Sequence, residues 1–188
     1  MLTLYLARHG QTVENAAGVL QGHLPGQLTE EGRQQAMALR EHLRSLLPRI
    51  DVLMASDLAR AHETATVLQS LYGLPITPCA LLRERDWGSL TGCIIKKAHF
   101  NPLPADVESE TAMFDRARRL LRHLLAHYNG MTVLAVGHGL FNRCIQAVLL
   151  DTTIRDVPRM ENAEVRKLTV DEQHCQGGKL RADVASDA

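Results

Sequence analysis

Two histidines in this chain stand at points suited to chemistry. Arg8-His9-Gly10 follows directly on the apolar run 2–7, so a buried strand delivers a cation, a nucleophile and an unobstructed backbone to one place. Gly137-His138-Gly139 follows a second apolar run, 131–136, and Ser56-Asp57 follows a third, 51–55, with Arg60 one helical turn later. Two guanidiniums around a small site suit the oxygens of a phosphoryl group, because arginine stays charged and offers a planar fork of donors. Gly10, Gly137 and Gly139 would let the backbone approach an anion, and a helix beginning near Leu140 would aim N–H groups at it. Each residue also has an ordinary reading. Arg8 or Arg60 alone could be a surface ion-pair residue, and His9 alone a hydrogen-bonded histidine at a strand end. The coincidence of three strand ends favours a phosphate site.

The elements that must position these residues alternate along the chain. After the strand 2–7 and a polar, glycine-containing loop 11–27, Thr29 is a plausible N-cap with Glu30 and Glu31 in the first turn. Ala36, Leu39, Leu43 and Leu46 then recur at helical spacing until Pro48. Asp51–Ala55 reads as a second strand, and Asp57 as the cap of a helix with the stripe Leu58, Ala61, Ala65 and Leu68. Residues 76–80 form a third strand candidate, and 82–107 are broken by Gly88, Gly92, Pro102 and Pro104 apart from a short helix near 94–99. A long helix is expected over 109–128, a strand over 131–136 and a helix over 140–150, with a closing hairpin of 163–170 and 179–184 around Gln176-Gly177-Gly178. Strands alternating with helices predict an α/β fold, a three-layer α/β/α sandwich with a mostly parallel central sheet, and ligands in such sheets bind beyond the carboxyl ends of the strands.

Composition narrows the class. The 188 residues suit a single domain, 1–188, and the 21 basic residues balance 21 acidic ones, so no global field draws nucleic acid or an anionic membrane. No apolar run is long enough to span a bilayer. Cys79, Cys93, Cys144 and Cys175 are widely spaced and no secretory leader precedes the first strand, which predicts reduced thiols in a cytoplasmic protein. P-loop, G-x-G-x-x-G and G-x-S-x-G motifs are absent, which leaves Walker-type, dinucleotide-binding and serine-hydrolase readings without support. His123 and His127 share a helix face, but with no glutamate between them and no obvious third ligand a solvated face is favoured over a metal site. His62 reads as a helix-surface histidine, and Trp87 either as core or as a cleft wall.

Five ordered blocks carry a resemblance. They are Leu6-Ala-Arg-His-Gly-Gln-Thr12 with Asn15; Leu28-Thr-Glu-Glu-Gly32; Ser56-Asp-Leu-Ala-Arg60-Ala-His-Glu-Thr64-Ala65; Leu82-Arg-Glu84-Arg-Asp-Trp-Gly88 through Gly92; and Val136-Gly-His138-Gly139. Together they resemble the histidine phosphatase superfamily, phosphoglycerate mutase-like branch, with weaker echoes at Glu108-Ser109, Arg116 and Asn162-Ala163. The resemblance implies that His9 becomes a phosphohistidine, that Arg8, Arg60 and His138 bind and stabilise the phosphoryl group, and that Asn15, Gln21, Gly22 and the Gly139 amide belong to the same pocket. It implies Glu84 as proton donor with Asp86 as fallback. A loop carboxylate paired with Arg83 or Arg85 is the competing reading of Glu84. It also implies that no metal or cofactor is needed.

The resulting expectation is a phosphatase acting on a small phosphorylated metabolite. Mutases of the family usually carry longer insertions than 94–107, so mutase action is the second reading and a non-catalytic phospho-ligand binding protein the third. Neither the substrate nor the oligomeric state is written in these motifs. Relatives act on sugar phosphates, fructose bisphosphates, α-ribazole phosphate, nucleotides or phosphoglycerates, and the discriminating residues are expected in 18–27 and 96–107. In the latter loop Asp106-Val107 stand where relatives often have two glycines.

Overall fold

The computed structural model describes residues 1–175. Its elements run β1 (Leu2–Arg8), α1 (Val13–Ala16), α2 (Glu30–Leu46), β2 (Val52–Ala55), α3 (Ala59–Tyr72), β3 (Ile76–Pro78), α4 (Glu110–Tyr128), β4 (Thr132–Gly137), α5 (Gly139–Leu149) and β5 (Val165–Val170). Short 3₁₀ turns lie at Ala80–Leu82, Gly88–Leu90, Ile95–Lys97 and Glu172–Cys175. The five strands form one sheet in the order β3-β2-β4-β1-β5, parallel except for β5, which runs antiparallel along β1.

The two-residue period of the strands sorts the core into two layers. Leu2, Leu4 and Leu6 of β1, with Val133 and Ala135 of β4, face α4 and α5. Tyr5 and Ala7, with Leu134 and Val136, face α2 and α3. The fold is therefore the three-layer α/β/α sandwich expected from the alternation of strands and helices. Local signals place the helix starts: Thr29 accepts from the Gly32 amide at 2.9 Å and Ser109 from the Ala112 amide at 3.1 Å.

Several expectations are corrected. Asp57 does not cap α3; Leu58 occupies that position without a side-chain cap, and Asp57 instead takes Arg83 in a two-pronged ion pair. The loop 11–27 contains the short helix α1, closed by a capping box between Thr12 and Asn15. The expected helix near 94–99 is only the 3₁₀ turn Ile95–Lys97. Val165–Val170 pairs with β1. The turn and second strand of the expected hairpin, 176–184, lie outside the described residues. Among the described residues no helix is long and apolar enough to cross a membrane.

Candidate active site

Strand pairing brings the two histidine triplets together. Arg8 stands opposite Gly137 in the parallel register of β1 and β4, and β2 flanks β4 on the other side with Ala55 opposite Val136. His9, His138 and the start of α3 therefore meet at the carboxyl edge of three adjacent strands. The His9 and His138 rings lie 5.1 Å apart, edge to face. Around them is a cavity of about 330 Å³, lined among others by Arg8, His9, Asn15, Gln21, Gly22, Arg60, Glu84 and Gly139. All those sequence-predicted site residues converge there; His138 sits directly beneath, wholly buried.

His9 is held at both ring nitrogens. Its Nδ1 lies 2.7 Å from the Gly10 carbonyl, which can only accept, so Nδ1 carries the proton and Nε2 the lone pair. Arg60 Nε donates to that Nε2 at 3.3 Å. The His9 carbonyl is pinned in turn by the Asn162 side-chain amide at 3.1 Å and the Ala163 N–H at 3.2 Å. Ala163 takes a left-handed backbone (φ 58°) to do so, at a strain of roughly 1–2 kcal/mol. Burial, then the Arg60 charge and to a smaller extent Arg8, push the His9 pKa well below its ordinary 6.5, against the opposing pull of the Gly10 carbonyl. His138 is lowered well below the same value, by burial first and then by Arg60 and His9. Both imidazoles are neutral at physiological pH.

The cations are organised differently from each other. Arg60 is buried, and its Nη1 and Nη2 donate to the carbonyls of Leu24, Pro25 and Gly22, so it both closes the loop 22–25 and reaches His9. Burial lowers its pKa to about 10, which leaves it charged at neutral pH. Arg8 Nη1 donates to the Met160 carbonyl at 2.6 Å, while its buried Nε has no partner among the described residues. Both ring nitrogens of His138 and Gln21 Oε1 are likewise buried and unpartnered. Buried polar atoms left unpaired are costly, so their concentration at one cavity points to a polar ligand, and the Gln21 amide can turn its NH₂ toward an anion.

Glu84 lies against the N-terminus of α5, and neither the Arg83 nor the Arg85 guanidinium forms an ion pair with it. Oε1 accepts from the Arg85 amide at 2.8 Å and the Phe141 amide at 3.0 Å, and Oε2 from the Leu140 amide at 3.0 Å. Of the four lone-pair directions of the carboxylate, one, on Oε2, is left. This corrects the expected use of α5: its first-turn amides hold the Glu84 carboxylate rather than a substrate anion. The loop that carries Glu84 is braced from behind by Arg116, which forks onto Glu108 at 2.8 and 2.7 Å and donates to the carbonyls of Leu81 and Arg83 at 3.0 and 2.6 Å. The Arg116 guanidinium also lies 3.6 Å over the Phe141 ring. Asp86, the fallback donor, caps Gly88 and lies 3.8 Å from His23, outside the cavity.

Two of the three glycines read as anion-approach points have another purpose. A Cβ on Gly10 would meet the Gly32 carbonyl oxygen at 2.3 Å, and one on Gly137 would meet Asn142 Oδ1 at 2.3 Å, so both permit internal packing. Only Gly139 faces the site, with Arg8 Nε 3.2 Å from the position of its absent Cβ. Trp87 forms part of the cavity wall, with Phe100 edge-on to it at 5.8 Å and the Arg85 guanidinium over its ring at 4.6 Å. His62 is exposed on α3, and His123 and His127 stack on α4 at 4.3 Å. Among the described residues no group of three or more His, Cys, Asp or Glu could hold a metal ion. Of the loop 96–107 no residue lines the cavity; contributions missed from sequence come from Ile95, Leu140, Arg143, Arg159 and Met160. The arginine pair had no local motif to reveal it.

A charged, histidine-floored pocket at the carboxyl edge of a mostly parallel sandwich is the architecture of a phosphoryl-handling α/β enzyme. The chain belongs to the histidine phosphatase superfamily (branch 1), whose pattern it matches over residues 4–182. It is 32% identical over 169 residues to the Citrobacter koseri protein named "Probable phosphoglycerate mutase GpmB", covering 80% of this chain and 75% of that one. A mycobacterial glucosyl-3-phosphoglycerate phosphatase, solved with VO3, superposes with a TM-score of 0.80 at 28% identity, over 89% of this chain and 92% of its own. Bacillus stearothermophilus YhfR superposes with a TM-score of 0.82 at 28% identity, over 92% and 93%.

Proposed function

We propose that this protein is a metal-independent phosphomonoesterase that hydrolyses a small phosphorylated metabolite through a phosphohistidine on His9. The observation that carries the reading is the tautomer: Nδ1–H is committed to the Gly10 carbonyl, so the lone pair is on Nε2, where it accepts from Arg60 Nε at 3.3 Å until attack releases that contact. Burial and Arg60 keep it unprotonated. In the first step Nε2 attacks phosphorus, the ester P–O bond breaks, and the leaving oxygen takes a proton from Glu84. In the second, water attacks the phosphohistidine, Glu84 takes the proton of that water, and the N–P bond breaks to release phosphate. Arg8, Arg60 and neutral His138 bind the equatorial oxygens, where positioning and charge stabilisation supply most of the rate. Asn15, Gln21, Gly22 and Gly139 complete the wall.

Two points support hydrolysis. The segment 94–107 contributes one 3₁₀ turn rather than an enclosing lid, and a structural neighbour at 28% identity is itself named a phosphatase. The name of the Citrobacter koseri relative supports a second reading, transfer between phosphoglycerates. Acid-labile, base-stable labelling by a phosphate ester, absent in His9→Ala, tests the intermediate. Phosphate release from a metabolite panel, set beside phosphoglycerate interconversion with and without a bisphosphate primer, separates the readings. A protein that releases no phosphate from any ester and takes no label would end the catalytic proposal.

A further inference from the structure

Glu84 is gripped through its main chain as well as through its carboxylate. Its carbonyl accepts from His23 Nε2 at 3.0 Å. A carbonyl can only accept, so Nε2 carries a proton of that ring. Asp86 Oδ2 lies 3.8 Å from the other nitrogen, Nδ1, outside hydrogen-bond range. The other donor to the Glu84 carbonyl among the described residues, Arg116 Nη2, stands at 3.5 Å and is committed to Glu108 Oε2 at 2.7 Å. His23 is therefore the closer hold on this peptide, and the proposed reaction gives it no task.

The place of His23 is set from the phosphoryl side of the site. It lies between Gly22 and Leu24, whose carbonyls, with that of Pro25, accept from the two terminal nitrogens of Arg60. Gly22 takes a left-handed backbone (φ 49°), and the position of its absent Cβ is 3.5 Å from the Arg85 carbonyl oxygen, so the two loops run side by side. Peptide geometry gives the His23 contact its reach. The Glu84 carbonyl and the Arg85 N–H belong to one planar trans unit and point in opposite directions. Fixing the oxygen against His23 therefore aims the N–H, and that N–H donates to Glu84 Oε1 at 2.8 Å. With Oε1 also taken by the Phe141 amide and Oε2 by the Leu140 amide, the open lone-pair direction stays on Oε2. Arg60, which donates to His9, thus connects through His23 and the 84–85 peptide to the oxygens of Glu84.

We propose that His23 is a positioning residue for the proton donor: it orients the peptide between Glu84 and Arg85 and, through that peptide, the Glu84 carboxylate. The role rests on the acid function proposed for Glu84, but the orientation itself can be read without turnover. His23 is half-buried, so its replacement should leave the urea midpoint nearly unchanged. In His23→Ala, amide exchange at Arg85, Leu140 and Phe141 should quicken by roughly tenfold while the amides of β1 keep their rates. For alkyl phosphates kcat/KM should fall by roughly tenfold, part of what a general acid supplies, and for activated aryl phosphates by less than about twofold. The ratio of the two does not depend on how much of the protein is folded. Inhibition by inorganic phosphate should not change, because this loop holds Arg60 through main-chain carbonyls. His23→Gln, whose NH₂ can donate to the same carbonyl, should recover most of the exchange protection and of the alkyl turnover. Equal losses on alkyl and aryl esters, or a glutamine variant no better than alanine, would overturn the role. Weaker inhibition by phosphate in His23→Ala would also overturn it, since His23 would then serve the Arg60 loop instead. If wild-type protein hydrolyses no ester but exchange quickens in His23→Ala and recovers in His23→Gln, the hydrolytic reading fails and the orientation of Glu84 by His23 stands. Turnover by wild type with exchange unmoved in His23→Ala would do the reverse.

Discussion

His9 reaches a reactive form through contacts made at each end of its ring. The Gly10 carbonyl sets the tautomer and Arg60, together with burial, keeps protons away. In the proposed reaction the neutral ring is the nucleophile, so activity should persist below pH 6.5, the ordinary histidine value. The acid limb of kcat/KM for an aryl phosphate, corrected for ionisation of the ester, should therefore fall below that pH. In Arg60→Gln the limb should move upward, and a wild-type limb at or above 6.5 would contradict the assignment. Glu84 bears on the leaving group. Glu84→Gln should slow alkyl phosphates by roughly 10² to 10⁴ and activated aryl phosphates much less, since a good leaving group needs little protonation; equal losses would count against an acid role. At this scale the meeting of Arg8, His9, Arg60, Glu84 and His138 at one pocket was legible from motif and spacing. The tautomer of His9 was not, because it depends on which carbonyl lies beside Nδ1.

At the scale of elements, the Glu84 loop is positioned by parts of the chain that carry no chemistry themselves. Glu108 and Arg116 form a largely buried, two-pronged pair whose guanidinium also holds the Leu81 and Arg83 carbonyls. Glu108→Ala leaves that cation unpaired, and the expected cost is about 3 kcal/mol in urea unfolding. The same change should lower alkyl phosphate turnover more than aryl phosphate turnover, because it loosens the acid and not the nucleophile. A second junction joins the loop after β1 to the first turn of α2. A Cβ on Gly32 would meet the Gln11 carbonyl oxygen at 2.0 Å and one on Gly10 the Gly32 oxygen at 2.3 Å, backbone against backbone with nothing flexible to yield. Gly32→Ala should therefore destabilise by several times the effect of Gly73→Ala. The latter has open space and only the left-handed backbone to resist it, about 1–2 kcal/mol. Equal midpoint shifts for the two variants would show that the close approach is unimportant. Helix positions were readable from periodicity and, at Thr29, from the cap. Asp57 misled because a side chain that can cap a helix can also pair with a distant arginine, and sequence alone does not rank the two.

For the whole molecule, burying two neutral histidines ties folding to pH. Both have native pKa values well below 6.5, so beneath that pH the unfolded chain takes up protons that the native state refuses. Stability is then fully present above pH 6.5 and declines as pH falls toward the native values, by about 1.4 kcal/mol per pH unit for each histidine. Urea unfolding between pH 6.5 and about 5 should show that slope, and His138→Asn should reduce it by about half. A flat profile across this window would mean that the rings are not held neutral by the fold.

The alternation of apolar runs with amphipathic helices was enough to determine the sandwich, because burial on two faces makes the strands of a parallel sheet near-continuous apolar runs while the covering helices keep a 3.6-residue period. The ordered motifs were enough to bring Arg8, His9, Arg60, Glu84 and His138 together, because each sits at a strand end, on a loop leading from one or in the first turn of the helix that follows. Only the tertiary structure decided what the glycines and the α5 amides serve, and only it put Arg143 and Arg159 in the cavity wall. Those outcomes depend on close approaches between segments far apart in the chain, and such distances leave no periodic trace in the residues that make them.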